Sequence, residues 1–209
     1  MEEKQLREDL LSIRSMMERS SKFLSLSGLS GILAGVYALA GAAATYIILH
    51  KPAPADFISG LMTAIDDLNK IVLIAISVLI ASIITGVALT YRKARKQCIP
   101  MWGKTSRNLL FNMAVPLITG GVLVLVLLNK GELSLLLPTT LIFYGLALVN
   151  AGNFTYTDVK YLGLCEIIIG LIGACFPGYG LVLWAIGFGI LHIVYGSVMY
   201  FKYDRENTV

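Results

Sequence analysis

The sequence predicts an all-α, polytopic membrane protein: six transmembrane helices in three antiparallel hairpins, preceded by an amphipathic N-terminal helix. Of the 209 residues, 56% are hydrophobic and 14% charged, against about 25% charged in an ordinary soluble domain. The apolar residues fall in runs long enough to cross a hydrocarbon core of ~30 Å as helices. The basic residues collect between alternate runs, the arrangement that sets topology in a membrane. One bundle, 28–201, takes up nearly the whole chain, between a segment 1–27 and a short tail 202–209.

Taken in order, Leu6, Leu10, Ile13 and Met17 recur at helical spacing, with Glu and Arg on the other faces. This predicts an amphipathic helix that lies on the membrane surface or packs against another helix. No cleaved signal peptide is expected, because a long polar segment precedes a first apolar run that is itself long enough to span. That run, 29–49, carries Gly31 and Gly35 four apart, a spacing that lets helices approach closely. His50-Lys51-Pro52-Ala53-Pro54 ends it. The stretch up to 70 then reads as a loop holding Asp56, Asp66 and Asp67, with a short interfacial helix from Phe57, Leu61, Met62 and Ile65. His50 with these Asp residues has no diagnostic metal spacing, and Cys98, Cys165 and Cys175 form no CxxC. No metal site and no cofactor is expected.

The second span is 71–91. It ends in Arg92-Lys93-Ala94-Arg95-Lys96, and the basic loop runs on to Arg107 past Trp102. Such a stretch beside a membrane is expected to meet anionic lipid headgroups near 92–107. Nucleic acid is not an expected partner, since that would call for a broader basic surface and a recognisable fold. The third span, 108–128, holds Asn112 and an internal Pro116, which membrane helices tolerate. The fourth, 135–152, has Pro138 in its first turn, Tyr144 inside and Asn150 near its end. The last two spans lie within 160–202 and flank Phe176-Pro177-Gly178-Tyr179-Gly180, where Pro ends a helix and Gly permits the turn.

Lys and Arg number 5 in the N-terminal segment, 6 in 92–107, 1 in 150–160 and 2 in the tail, against 3 in the alternate loops. With six spans, this bias places both termini in the cytoplasm.

Glu166 and His192 are the ionisable residues inside the last two spans. Each lies thirteen residues from Tyr179, hence ~20 Å from the turn at ~1.5 Å per residue. They are level, and a partner is the usual remedy for a charge in hydrocarbon. Tyr195 shares the His192 face, and Asn112 and Asn150 fall in the same inner half of the bilayer. Glu166, His192, Tyr195, Asn112 and Asn150 therefore form a candidate intramembrane polar site. It either lines a cavity open to the cytoplasm or supplies interhelical hydrogen bonds. Gly170 and Gly173 share the Glu166 face and favour close helix contact over a wide pore.

Glu166-Ile-Ile-Ile-Gly170, Phe176-Pro177-Gly178, Trp184-Ala-Ile-Gly187 and the glycines from Gly189 to Gly196 resemble the hairpin repeat of the HdeD-like acid-resistance membrane proteins. The resemblance covers 160–200. The polar N-terminal segment and the long first external loop depart from the family pattern. It implies a small bacterial inner-membrane protein linked to stress, with no catalytic residues to carry over. No HExxH, GxSxG or phosphate-binding loop is present, so no enzymatic activity is expected. Two functions follow. One is a non-enzymatic protein of stress response or envelope maintenance, acting by helix–helix assembly as a homo-oligomer or with a membrane-protein partner. The other is a proton-coupled small transporter or channel using Glu166 and His192.

Overall fold

The computed structural model of the chain describes residues 27–52, 56–96 and 102–204. The expected helix within 1–27 and the middle of the basic loop lie outside these residues. Among the described residues the fold is all-helical. Helices α1 (Gly28–Leu49), α2 (Phe57–Lys96), α3 (Lys104–Lys130), α4 (Leu136–Ala151) and α5 (Thr157–Cys175) precede a composite sixth rod, Pro177–Asp204. Within the rod, α6 (Gly180–Trp184) passes into a π-helical stretch, Ala185–Leu191. Then α7 (His192–Met199) passes into a second one, Tyr200–Asp204.

Five of these helices are long and apolar enough to cross a membrane: α1, α2, α3, α4 with its leading 3₁₀ turn, and the sixth rod. Helix α5, expected as a sixth span, stands apart because Asp158, Lys160 and Glu166 interrupt it. An all-helical chain with this many apolar helices has the build of a multi-pass membrane protein.

One boundary differs from expectation. The stretch before 71 is neither a loop nor a separate interfacial helix: α2 is continuous over 40 residues. Asp56 caps its start through Ser59 N at 3.0 Å, and Lys70 pairs with Asp66 and Asp67 along the same helix. An Asp at the N-terminus and acid–base pairs one turn apart are what a helix needs to continue through a polar stretch. Exposed hydroxyls and amides farther along are satisfied by carbonyls one turn back, as in Ser77 to Leu73, Thr119 to Val115 and Asn112 to Asn108. Such internal bonding is what hydrocarbon demands. At the end of α3, Gly131 takes φ +75° and closes the helix with a left-handed cap.

The helices pack in sequence across the molecule. Helix α2 lies on α1, α1 on the sixth rod, the rod on α5, α5 on α4, and α4 on α3. Two seams between hairpins are built on glycine. At the first, Gly28 of α1 and Gly196 of the rod each face the other's carbonyl, and a Cβ on either would lie 2.5–2.6 Å from it. Gly31 and Gly35 continue this seam against Gly196 and Gly189. At the second, Gly145 of α4 and Gly163 of α5 stand in the same reciprocal contact, each Cβ position 2.6 Å from the other's carbonyl oxygen. Gly170 extends it against Ile142 N, and Gly173 meets Pro138 at ordinary contact distance. Close backbone approach of this kind replaces the hydrophobic drive that lipid cannot supply between apolar helices. A third seam, between α2 and α3, is not packed, and Gly86 and Gly121 on those helices have nothing within reach of a Cβ.

The bundle is tied together at one end. Asp204 accepts the Gly28 amide at 2.9 Å and pairs with Lys93 at 2.6 Å, placing a carboxylate at the positive N-terminus of α1. Asp158 accepts from Lys202 at 3.1 Å and from the Tyr203 hydroxyl at 2.8 Å. Residues 202–204, the start of the short tail, are thus bonded to α1, α2 and α5.

Candidate functional site

Halfway along α5, Glu166 is wholly buried, and His192 opposite it is 5% exposed. The turn at Phe176–Gly180 sets α5 and the rod antiparallel, and His192 Nδ1 stands 3.3 Å from Glu166 Oε1. The ring is held from both sides. Nδ1 lies 3.1 Å from the Gly187 carbonyl, and Nε2 lies 2.9 Å from the Tyr144 hydroxyl on α4. A single Nδ1–H donor aimed at Gly187 leaves Nε2 to accept from Tyr144. Neither oxygen of Glu166 has a hydrogen-bond partner among the described residues.

The π-helical turn makes this arrangement possible. Its wider winding brings Gly187 and His192, five apart, onto one carbonyl–ring contact. Gly187 also leaves the space into which Glu166 fits: a Cβ there would lie 2.6 Å from Oε2 and 2.5 Å from a Leu141 methyl. π-Turns of this kind are concentrated at functional positions. Apolar and aromatic groups close the surroundings. Leu141 is 1% exposed, and Phe188 stacks on His192 with ring centres 5.7 Å apart. Phe188 also meets Tyr144 and Trp184. The Trp184 indole donates to Thr140 on α4 at 3.2 Å.

The expected members of the site divide. Glu166 and His192 come together. Tyr195 packs with Tyr144 and Tyr156 against the buried cluster of Leu109, Leu148, Ala151, Val159 and Leu162. Asn112 and Asn150 do not join them. The Asn112 amide bonds to its own helix at Asn108, and Asn150 is half-buried near the end of α4, where its backbone carbonyl accepts from Asn153 N. Sequence reasoning passed over Tyr144 and Gly187 as members. A tyrosine midway along an otherwise apolar run was the available signal for the first; nothing in the sequence marks the π-turn that recruits the second. His50, the other histidine, stacks on Tyr46 at the end of α1, far along the chain from this cluster.

Toward the tied end of the bundle, Tyr156 stacks on Tyr203 at 4.1 Å. Burial, then Asp204 and Tyr203, push its hydroxyl up to about 12. An unfolded phenol ionises near ~10, so the folded chain holds this proton over a range where the unfolded chain releases it. The stability that this group contributes is full below pH ~10 and is lost as pH rises toward about 12. Thermal unfolding across that range is expected to show a steeper alkaline decline for the wild type than for Tyr156→Phe.

Comparison of the chain with family models, with curated proteins and with solved structures finds no match. The functional reading therefore rests on the geometry.

Proposed function

We propose that this chain is a non-enzymatic, multi-pass protein of a bacterial cytoplasmic membrane that works by binding and releasing a proton at Glu166 and His192, as a small proton-coupled transporter or channel. One observation supports this above the others: a carboxyl group with no exposure and, among the described residues, no hydrogen-bond partner at either oxygen, 3.3 Å from an imidazole nitrogen. A clasp that served only stability would satisfy its polar groups, since a half-satisfied buried network is worse than an apolar core. An ionisable residue inside a membrane bundle marks a functional site by default, and an imidazole beside a carboxyl group suits proton shuttling. The excess of Lys and Arg supports a cytoplasmic position for the tied end of the bundle, with Asp158 and Asp204, and with α5 as a sixth span.

The test is infrared difference spectroscopy of the protein in proteoliposomes between neutral and acid pH, wild type against Glu166→Gln. A carboxyl signal that follows pH and vanishes in a variant with unchanged unfolding temperature is the expected result. Identical spectra for the two proteins would overturn the reading.

A second reading, assembly with another copy or a membrane protein in stress response or envelope maintenance, is favoured by the unpacked α2/α3 seam. It predicts an oligomer in mild detergent that dissociates when Gly86 and Gly121 are both replaced by Leu. A monomer in both cases counts against it.

A further inference from the structure

A buried proton site needs a way in. Between Glu166 and Asp158, two turns and ~12 Å apart along α5, four tyrosines gather from three elements. Tyr144 of α4 reaches His192 Nε2 at 2.9 Å. Tyr195 of the rod packs on the same buried cluster as Tyr144 and Tyr156. Tyr203 stacks on Tyr156 and donates to Asp158 at 2.8 Å. Asp158 in turn meets Lys202, half-exposed at the surface of the bundle. The opposite direction holds no such series: Phe188, Trp184 and Leu141 lie on that side.

We propose that protons reach Glu166 from the Asp158 end of the bundle along the hydroxyls of Tyr203, Tyr156, Tyr195 and Tyr144, a route that rests on the proton-binding reading above. A phenol both donates and accepts, so each can pass one proton on while receiving another. At the inner end, the Tyr144 O–H bond breaks as Nε2–H forms on His192. The Nδ1–H bond breaks as O–H forms on the Glu166 carboxylate. Tyr144 regains its proton from Tyr195, the series continues to Tyr203, and Tyr203 regains its own from hydronium by way of the Asp158 carboxylate, while His192 passes from the Nδ1–H to the Nε2–H tautomer. One proton leaves the aqueous phase and one arrives on Glu166, with each phenol restored. Ordinary hydroxyl rotation, or a single bridging water where a step is long, completes the chain. The titratable groups facing it are His192 on the rod, Tyr144 on α4 and, at the outer end, Asp158, Asp204, Lys93 and Lys202.

The experiment follows the Glu166 carboxyl signal in time after a rapid pH drop, using the full chain in proteoliposomes. Tyr195→Phe keeps the ring and removes the hydroxyl. It is expected to slow the signal about tenfold or more at unchanged final amplitude, as a relay with a missing member requires. Tyr203→Phe, at the half-buried outer end of the series, is expected to slow it likewise at unchanged unfolding temperature, whereas Tyr179→Phe at the opposite turn leaves the rate unchanged. Wild-type rates in both Tyr195→Phe and Tyr203→Phe would overturn the route while leaving the site intact. A wild type with no Glu166 signal would overturn the site itself.

Discussion

Gly163→Leu is expected to leave little folded protein, whereas the same change at Gly121 leaves the fold unaltered. A Cβ on Gly163 would stand 2.6 Å from the Gly145 carbonyl and 2.9 Å from both Leu148 Cβ and Val149 N. These are mainly backbone atoms of α4, which cannot swing aside as the tip of a side chain can. Overpacking commonly costs about 1–3 kcal/mol where neighbours adjust; here the whole α4/α5 seam has to separate, so a loss above about 4 kcal/mol is expected, in the range reserved for severe lesions. At Gly121 nothing stands within 4 Å, and Leu is the better helix former. Monodispersity on size exclusion and the unfolding temperature in detergent decide the matter. Equal behaviour of the two variants would mean that the seam is not the close contact described.

The second large effect belongs to His192. Replacing it by Leu removes the acceptor of the Tyr144 hydroxyl and the donor to Gly187, and leaves Glu166 with no polar group beside it. Breaking a buried pair from one side costs about 3–5 kcal/mol, while replacing both members by apolar groups of similar volume is often neutral or better. His192→Leu is therefore expected to be strongly destabilised, and Glu166→Met with His192→Leu to recover most of the loss. The recovered double variant is expected to show no pH-dependent carboxyl signal. Recovery of stability without recovery of proton binding separates what the pair does for the fold from what it does for function. A double variant as unstable as the single one would show that Tyr144 and Gly187, not Glu166, are the groups His192 serves.

Much of this architecture is legible in residue order alone. The apolar runs, the Pro-Gly turn at 177–178 and the Gly31/Gly35 spacing point to the helices and to the close approach of α1. The equal depth of Glu166 and His192 follows from their equal distance to the turn, while their meeting depends on helix rotation, which residue order does not set. What is not legible depends on neighbours distant in sequence. Whether residues 57–70 leave or continue a helix turns on Asp56 and the Lys70 pairs, which offset a polar stretch by local bonding. The positions of Asn112 and Asn150 follow from helix rotation, which depth alone does not set. The π-turn, and with it the place of Gly187 against Glu166, arises from tertiary packing around a carboxylate and leaves no periodicity to read. Asp204 at the foot of α1 joins residues 176 positions apart, and no local pattern announces it.

The length of α2 has a mechanical consequence. Forty residues make a rod of ~60 Å, about twice the ~30 Å of hydrocarbon it crosses. Its lower end is pinned by Lys93 to Asp204 at 2.6 Å, and above its contact with α1 nothing in the described bundle braces it. Such a rod is a lever. Ile74, which still packs on α1 at Gly41, stands ~26 Å from Phe57, so a tilt of ~5° there moves the far tip by ~2 Å. Any tilt of α2 at its contact with α1 would thereby be carried to the far end of the helix.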